Sequence, residues 1–167
     1  MWGDDNAASR RPGGPQRMKI HRTGPNRGGG STARHNRGMT VPEPKEFARR
    51  WLAAWNAHDL DTLLAHFADV VVFTSPVAAQ LLADSDGVIR GKEALRAYWT
   101  EGLRRIPDLR FELVGVYAGV ETIVINYRNQ KGGLVNEVLK FDDNLVIEGH
   151  GTYPGTDDNP AGATADP

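Results

Sequence analysis

The chain has 167 residues, of which 40% are hydrophobic and 25% charged, and it contains no cysteine. This composition is typical of one soluble globular domain, and the lack of cysteine excludes disulfides and thiolate chemistry. The net charge of −1 gives no overall attraction to nucleic acid, and no apolar run approaches the ~20 residues of a membrane span. Because no secretory leader follows the N-terminal charges either, we expect a cytoplasmic protein with no membrane partner.

The two ends of the chain differ in composition from its middle. Residues 1–38 carry eight Lys and Arg residues against Asp4 and Asp5, a balance of about +6, and are rich in Gly and Pro. Such a segment cannot bury enough apolar surface to offset its ordering entropy, so we expect a disordered extension. Three interpretations stay open: an arm that binds nucleic acid, a targeting peptide, or simply a disordered extension, for which Met39 is a candidate true start. We favour the third, and we expect nucleic acid as a partner only through this arm. Residues 154–167 are predicted to be a disordered acidic tail.

Helix signals occupy the first half of the remaining segment, 39–153. Thr40 and Glu43 have the spacing of a capping box, and the helix that follows places Phe47, Trp51 and Trp55 on one face. Further along the chain we predict a second helix capped by Asp59, a strand over 69–75, a short helix over 77–84, a brief extended piece over 87–91 and a long helix over 92–106. The short helix is interpreted either as a lid over a cavity or as a surface elaboration.

After Pro107 the period of the apolar residues changes from 3.6 to 2. Four alternating segments with short connections between them predict strands joined as an antiparallel meander. Helices followed by consecutive strands indicate an α+β domain in which the helices pack on one face of a curved sheet. The predicted strands are 109–117, 121–128, 133–141 and 145–153.

Several short stretches within 43–153 resemble the NTF2-like superfamily, in particular its SnoaL-like and ketosteroid-isomerase-like members. They are "WNAHDLDTLLAHFADVVVFTSP", "IRGKEALRAYW", "LRFEL" and "EVLKFDDNLVIEGHGTY". The resemblance implies a cone-shaped, cystatin-like α+β fold: a curved antiparallel sheet around about three helices, with an apolar cavity at its mouth. It also implies a small hydrophobic ligand, no cofactor, and a homodimer through the open sheet face. The function would be that of an isomerase, a polyketide-cyclase-like enzyme or a dehydratase, or of a non-catalytic binding or accessory protein.

Glu137 is the polar residue that the strand pattern places on an apolar face. In "LVNEVLKF" it alternates in phase with Val135, Leu139 and Phe141, the side expected to be buried. An unpaired carboxylate in an apolar cavity has a raised pKa, so Glu137 is a candidate general acid or base, or a donor to an oxyanion. The alternative is an ion pair with an Arg such as Arg128, or a place in a dimer interface.

The remaining site candidates come from the resemblance and from the apolar faces. Isomerase-type members use a Tyr and two Asp residues, and these positions correspond here to Trp51, Ser75 and Glu137, so we do not expect ketosteroid isomerase activity. His150 alternates with polar residues, but its flanking glycines are compatible with a bulge that turns it inward. The five histidines lack metal-ligand spacing, so no metal is expected. The predicted catalytic residues are Glu137, His150 and Tyr98, and the predicted ligand-binding residues are Trp51, Trp55, Ser75, Trp99, Val135 and Leu139.

Overall fold

The computed structural model describes residues 40–82 and 84–155. The predicted basic extension and nearly all of the predicted acidic tail lie outside these residues. None of the described helices is long and apolar enough to cross a membrane. The helices are α1 (Pro44–Asn56), α2 (Leu60–Leu64), α3 (Pro76–Leu81) and α4 (Lys92–Arg105), and the strands are β1 (Phe67–Thr74), β2 (Val88–Arg90), β3 (Glu112–Gly119), β4 (Thr122–Arg128), β5 (Leu134–Asp142) and β6 (Leu145–Thr152).

Side-chain caps determine where three of the four helices begin. The Glu43 carboxylate accepts hydrogen bonds from two backbone N–H groups in the first turn of α1, where Pro44 occupies a position that needs no donor. The predicted capping box led by Thr40 is therefore wrong, because Glu43 itself is the cap. Asp59 caps α2 as predicted, and the Ser75 hydroxyl caps α3. Helix positions thus follow from short polar signals as well as from apolar periodicity.

The six strands form one curved sheet that does not close into a barrel. Their order is β2-β1-β6-β5-β4-β3, and β3 to β6 form the predicted antiparallel meander. One pair departs from an all-antiparallel sheet, because β1 lies parallel to β6. This pairing places the end of β1 beside the C-terminal part of β6, with Thr74 opposite His150. The α+β class and the curved, open sheet agree with the expected fold.

The helices pack against the inward face of the sheet and form the core with it. Strand alternation supplies that face: Ile123 and Ile125 of β4, and Leu139 and Phe141 of β5, are almost completely buried. From the helices, Trp51, Leu63, Leu95 and Trp99 join the same cluster. The opposite face of the sheet carries the alternate residues of each strand and is partly exposed, and we call it the open face.

Asn56 joins the end of α1 to the segment that precedes β3. Its side-chain amide donates to the Phe111 carbonyl oxygen at 3.0 Å, and its Oδ1 accepts from the Phe111 N–H at 2.7 Å. Both backbone groups of Phe111 are therefore bound to a helix, so they do not pair with β4. This explains why β3 begins at Glu112 rather than at residue 109 as predicted.

Candidate functional site

A cavity of about 560 Å³ opens between the sheet, the short helix α3 and the C-terminal end of α4. Its floor comes from the inward face of β4, β5 and β6, and its walls are mostly apolar and aromatic. The size lies within the range of about 300–1,000 Å³ typical of small-molecule sites. The lining includes Trp55, Phe73, Ser75, Val77, Leu81, Tyr98, Trp99, Leu103, Phe111, Tyr127, Glu137, Gly151 and Tyr153.

Glu137 lies on the floor of this cavity and is only 5% exposed. Its position follows from strand alternation, because it is paired with the buried Ile125 on β4 and with Gly151 on β6. Burial raises the pKa of Glu137 to about 8, although a hydrogen bond from the Tyr127 hydroxyl acts in the opposite direction. At pH 7 the carboxyl is therefore mostly neutral and can donate a hydrogen bond.

No cation neutralises Glu137 among the residues that the structure describes. The Arg128 guanidinium, an alternative partner, is exposed and donates to the Gly132 carbonyl oxygen instead. The polar contact that Glu137 makes is a long one, 3.3 Å from the Tyr127 hydroxyl to Oε2. A carboxyl held in this way keeps hydrogen-bonding capacity for a ligand.

Three phenols and one hydroxyl surround the Glu137 carboxyl. The Tyr98 hydroxyl donates to Ser75 Oγ at 3.4 Å, and the Tyr127 hydroxyl donates to Glu137. Burial raises the pKa of Tyr98 to about 12, and the nearby Glu137 charge adds to the shift. Burial likewise raises the pKa values of Tyr127 and Tyr153. All three phenols are thus neutral donors at any physiological pH.

Two of these phenols, together with Phe111, were not among the predicted site residues. Tyr127 follows Ile123 and Ile125 at the strand period, and Tyr153 follows Gly149 and Gly151 in the same way. Strand alternation therefore predicts that both tyrosine side chains face inward. Phe111 lies outside any strand and is held by Asn56, so strand alternation does not predict its direction.

Aromatic rings form most of the cavity wall. Trp55 meets Trp99 edge to face, with 5.1 Å between the ring centroids. The ring centroids of Phe111 and Tyr127 are 4.3 Å apart. Such contacts fix the rings in a rigid frame. The predicted ligand-binding residues Trp55, Ser75 and Trp99 all line this cavity, and so does the predicted catalytic residue Tyr98.

Three predicted ligand-binding residues belong to the core instead. Trp51 is 1% exposed and lies behind the rings of Phe111 and Tyr127. Val135 and Leu139 share the inward face with Glu137, but both are buried and neither lines the cavity. The strand pattern gave their direction correctly. The cavity, however, occupies only part of the inward face, and packed side chains fill the rest.

His150 lies on the open face and does not meet Glu137. Its Nδ1 is 2.7 Å from Thr74 Oγ1, and its Nε2 is 3.1 Å from Glu148 Oε1. The flanking glycines do not re-aim it, since His150 pairs directly with Val138 on β5 without a register shift there. The predicted acid–base couple of Glu137 and His150 is therefore corrected: the two side chains project from opposite faces of the sheet.

No metal-binding cluster occurs within the described ranges. Over residues 40–82 and 84–155, no three His, Asp or Glu side chains are grouped closely enough to hold an ion. Although Arg105, Asp108 and Lys131 also contribute to the cavity lining, around Glu137 the cavity offers a set of neutral oxygen donors in an apolar surrounding. These groups suit a ligand that carries an uncharged oxygen acceptor.

The sequence and the fold both match known proteins. A family model described as the SnoaL-like domain matches residues 48–159. The chain belongs to this family. A SnoaL-like protein of unknown function from Burkholderia thailandensis is 44% identical to it, with a TM-score of 0.63 over 68% of this chain and 100% of the other.

More distant structures share the SnoaL-like fold at low sequence identity. An uncharacterised cystatin-fold protein from Novosphingobium aromaticivorans has 19% identity and a TM-score of 0.53, over 64% of this chain and 95% of the other. A putative polyketide cyclase from Sinorhizobium meliloti has 12% identity and a TM-score of 0.52, over 64% and 94%. No protein of curated function matches the sequence.

Proposed function

We propose that this SnoaL-like protein binds a small hydrophobic carbonyl compound in the cavity and promotes cofactor-free proton transfer next to the carbonyl group. The reaction class is isomerisation, aldol-type cyclisation or dehydration. The observation that carries the proposal is Glu137, a buried carboxyl on the cavity floor with no cation paired to it in the described part of the chain. Glu137 is the proposed catalytic residue, with the Tyr98 hydroxyl assisting.

The chemistry follows from the protonation state of Glu137. When a water molecule takes the proton from the carbon beside a carbonyl, the carbonyl oxygen gains negative charge, and a neutral acid stabilises that charge by donating its own proton there. An enol and a carboxylate result, and the reverse transfers restore the ketone and the acid. A pKa of about 8 keeps Glu137 protonated at pH 7 yet able to release its proton. A glutamate exposed to water would be ionised at pH 7, and its negative charge would repel the developing enolate.

The cavity walls support a flat, largely apolar ligand. Trp55, Trp99 and Phe111 present ring surfaces, and the volume of about 560 Å³ suffices for a compound of two or three fused rings. The Sinorhizobium meliloti protein that shares the fold is described as a putative polyketide cyclase. We propose aromatic or polyketide-like ketones as the ligand class.

A non-catalytic ligand carrier is the second candidate. It is favoured by Ser75 and Trp51, which stand where the resembled isomerases have a base and a phenol. Within the described part of the chain, a second carboxylate that could act as a base is also lacking from the buried part of the cavity. The other carboxylate among the described lining residues is Asp108, which is exposed. A protein of this kind would bind the ketone through Glu137 without turning it over.

The experiment that separates the two candidates uses β-tetralone, a bicyclic aromatic ketone with acidic protons beside its carbonyl. Exchange of these protons for deuterium is followed by NMR, with the uncatalysed exchange subtracted. We expect the wild-type protein to accelerate exchange and Glu137→Gln to lower the rate by ~10²-fold or more while binding persists, because Gln still donates but cannot transfer a proton. Glu112→Gln, on the exposed strand β3, is the matched control and should leave the rate unchanged.

The other outcomes assign the function differently. Binding of β-tetralone without accelerated exchange would support the carrier and reject the enzyme. Failure of the wild-type protein to bind aromatic ketones at all would contradict both candidates.

A further inference from the structure

Gly151 leaves an open space between two functional oxygens of the cavity. A Cβ atom at this position would lie 3.6 Å from Ser75 Oγ and 3.8 Å from Glu137 Oε2, both ordinary contact distances. Gly149, two residues earlier, differs, because a Cβ there would come within 2.8 Å of the Phe73 ring. Packing therefore accounts for the glycine at 149, but no neighbour excludes a methyl group at 151.

The Ser75 hydroxyl has a proton to donate toward this space. Its oxygen accepts from the Val77 N–H at 3.2 Å and from the Tyr98 hydroxyl at 3.4 Å. The side chain is only 4% exposed, and its proton is within reach of the Tyr153 hydroxyl oxygen, where the hydrogen bond lowers the pKa of that phenol. Because Ser75 Oγ also borders the space at Gly151, the hydroxyl can turn its proton from Tyr153 to a ligand oxygen placed there.

The strand register brings the two donors together over Gly151. Glu137 and Gly151 are direct cross-strand partners on β5 and β6, so the carboxyl lies beside the glycine. Ser75 follows the end of β1, which runs parallel to β6 and ends next to residue 150. The parallel β1–β6 pair therefore carries Ser75 to the other side of the same space.

We propose that the space bounded by Gly151, Ser75 and Glu137 is the subsite for the carbonyl oxygen of the ligand, with Ser75 as a second donor beside Glu137. This inference rests on the proposed function and makes it specific. Because the space is about the size of a methyl group, the ligand must have a carbonyl oxygen that is not shielded by bulky neighbouring groups. Ser75 then takes part in ligand binding in addition to capping α3.

The test compares β-tetralone with tetralin, which has the same ring skeleton and lacks the oxygen. Affinities are measured by calorimetry for the wild-type protein and for Gly151→Ala, whose added methyl group fills the space without a clash. We expect Gly151→Ala to weaken β-tetralone binding by ~10-fold or more, as the loss of one to two hydrogen bonds predicts, and tetralin binding by less than ~2-fold. Ser75→Ala, which removes the donor and leaves the space, should reduce the preference for the ketone in the same direction.

Gly102→Ala is the matched control for the added methyl group. Gly102 lies in α4, lines the same cavity, and has no atom within 4 Å of an added Cβ. It is remote in sequence from both donors, so its substitution should affect the two probes equally.

The results separate a failure of the subsite from a failure of the proposed function. If the wild-type protein prefers β-tetralone and Glu137→Leu removes that preference, but Gly151→Ala and Ser75→Ala keep it, the subsite is wrong and the proposed function stands. Equal losses for both probes in Gly151→Ala would also overturn the subsite. If the wild-type protein binds neither probe, or if Glu137→Leu leaves the ketone preference intact, both proposals fail.

Discussion

The neutral state of Glu137 links ligand binding to the stability of the protein. The folded state holds this proton with a pKa of about 8, against an ordinary value of 4.5. The stability that the group contributes is therefore complete below pH 4.5 and is lost as the pH rises through 8. Between these values, unfolding becomes easier by at most about 1.4 kcal/mol for each pH unit.

We expect Glu137→Gln to remove this dependence, because an amide of nearly the same shape does not ionise. Urea unfolding at a series of pH values from 5 to 9 checks the expectation. The wild-type free energy of unfolding should fall from pH 5 to about pH 8 and level off above it, while that of the variant changes less. Parallel curves for the two proteins would mean that Glu137 titrates normally in the folded state.

The sequence predicts those site residues whose side-chain direction follows from alternation along a strand. Alternation correctly turned Glu137 inward, and it also contained Tyr127 and Tyr153, which were overlooked. Alternation does not distinguish cavity-lining residues from core residues. Val135 and Leu139 were therefore predicted to line the cavity, although both are packed in the core. That distinction depends on how helices from elsewhere in the chain cover the sheet.

At the scale of elements, the sequence predicts locally defined helices and hairpins better than it predicts pairings between distant segments. The long helices and the meander follow from periodicity and short connections. The parallel contact between β1 and β6 joins segments about 76 residues apart, Thr74 and His150, and no local pattern specifies it. Yet this contact brings Ser75 to Glu137, so the site depends on the feature that was hardest to predict.

Strand β6 offers a direct check on the packing around this contact. We expect Gly149→Ala to destabilise the protein by ~1–3 kcal/mol, because the new Cβ would lie 2.8 Å from the Phe73 ring. Gly151→Ala, with distances of 3.6 and 3.8 Å, should change stability by less than ~1 kcal/mol. Thermal unfolding of the two variants measures both effects, and equal losses would show that the two glycines are not distinguished by packing.

At the scale of the whole molecule, the open face of the sheet has a continuous row of register partners. Thr74, His150, Val138, Val124 and Tyr117 lie side by side across five strands. Tyr117 is 62% exposed, and the two valines are partly exposed. We propose that a second copy of the chain covers this face, as the resemblance implies.

A charge in the middle of the row tests the homodimer. Val138→Lys should convert dimers to monomers in sedimentation velocity, because a Lys would be buried without a partner in the interface. Since Val138 faces away from the cavity, β-tetralone binding should persist in the variant. A wild-type protein that sediments as a monomer at the concentrations of the binding assays would reject this interface.

The proposed function depends on one property of the molecule, the protonation of Glu137 in an open cavity. It is measured most directly by NMR of the protein labelled with ¹³C at the glutamate carboxyl carbons, with the signal assigned by its loss in Glu137→Gln. We expect one resonance with a midpoint near pH 8, which shifts when β-tetralone is added. A midpoint near the ordinary value of 4.5 would mean that the carboxyl is ionised at neutral pH, and it would contradict the role of Glu137 as a neutral donor.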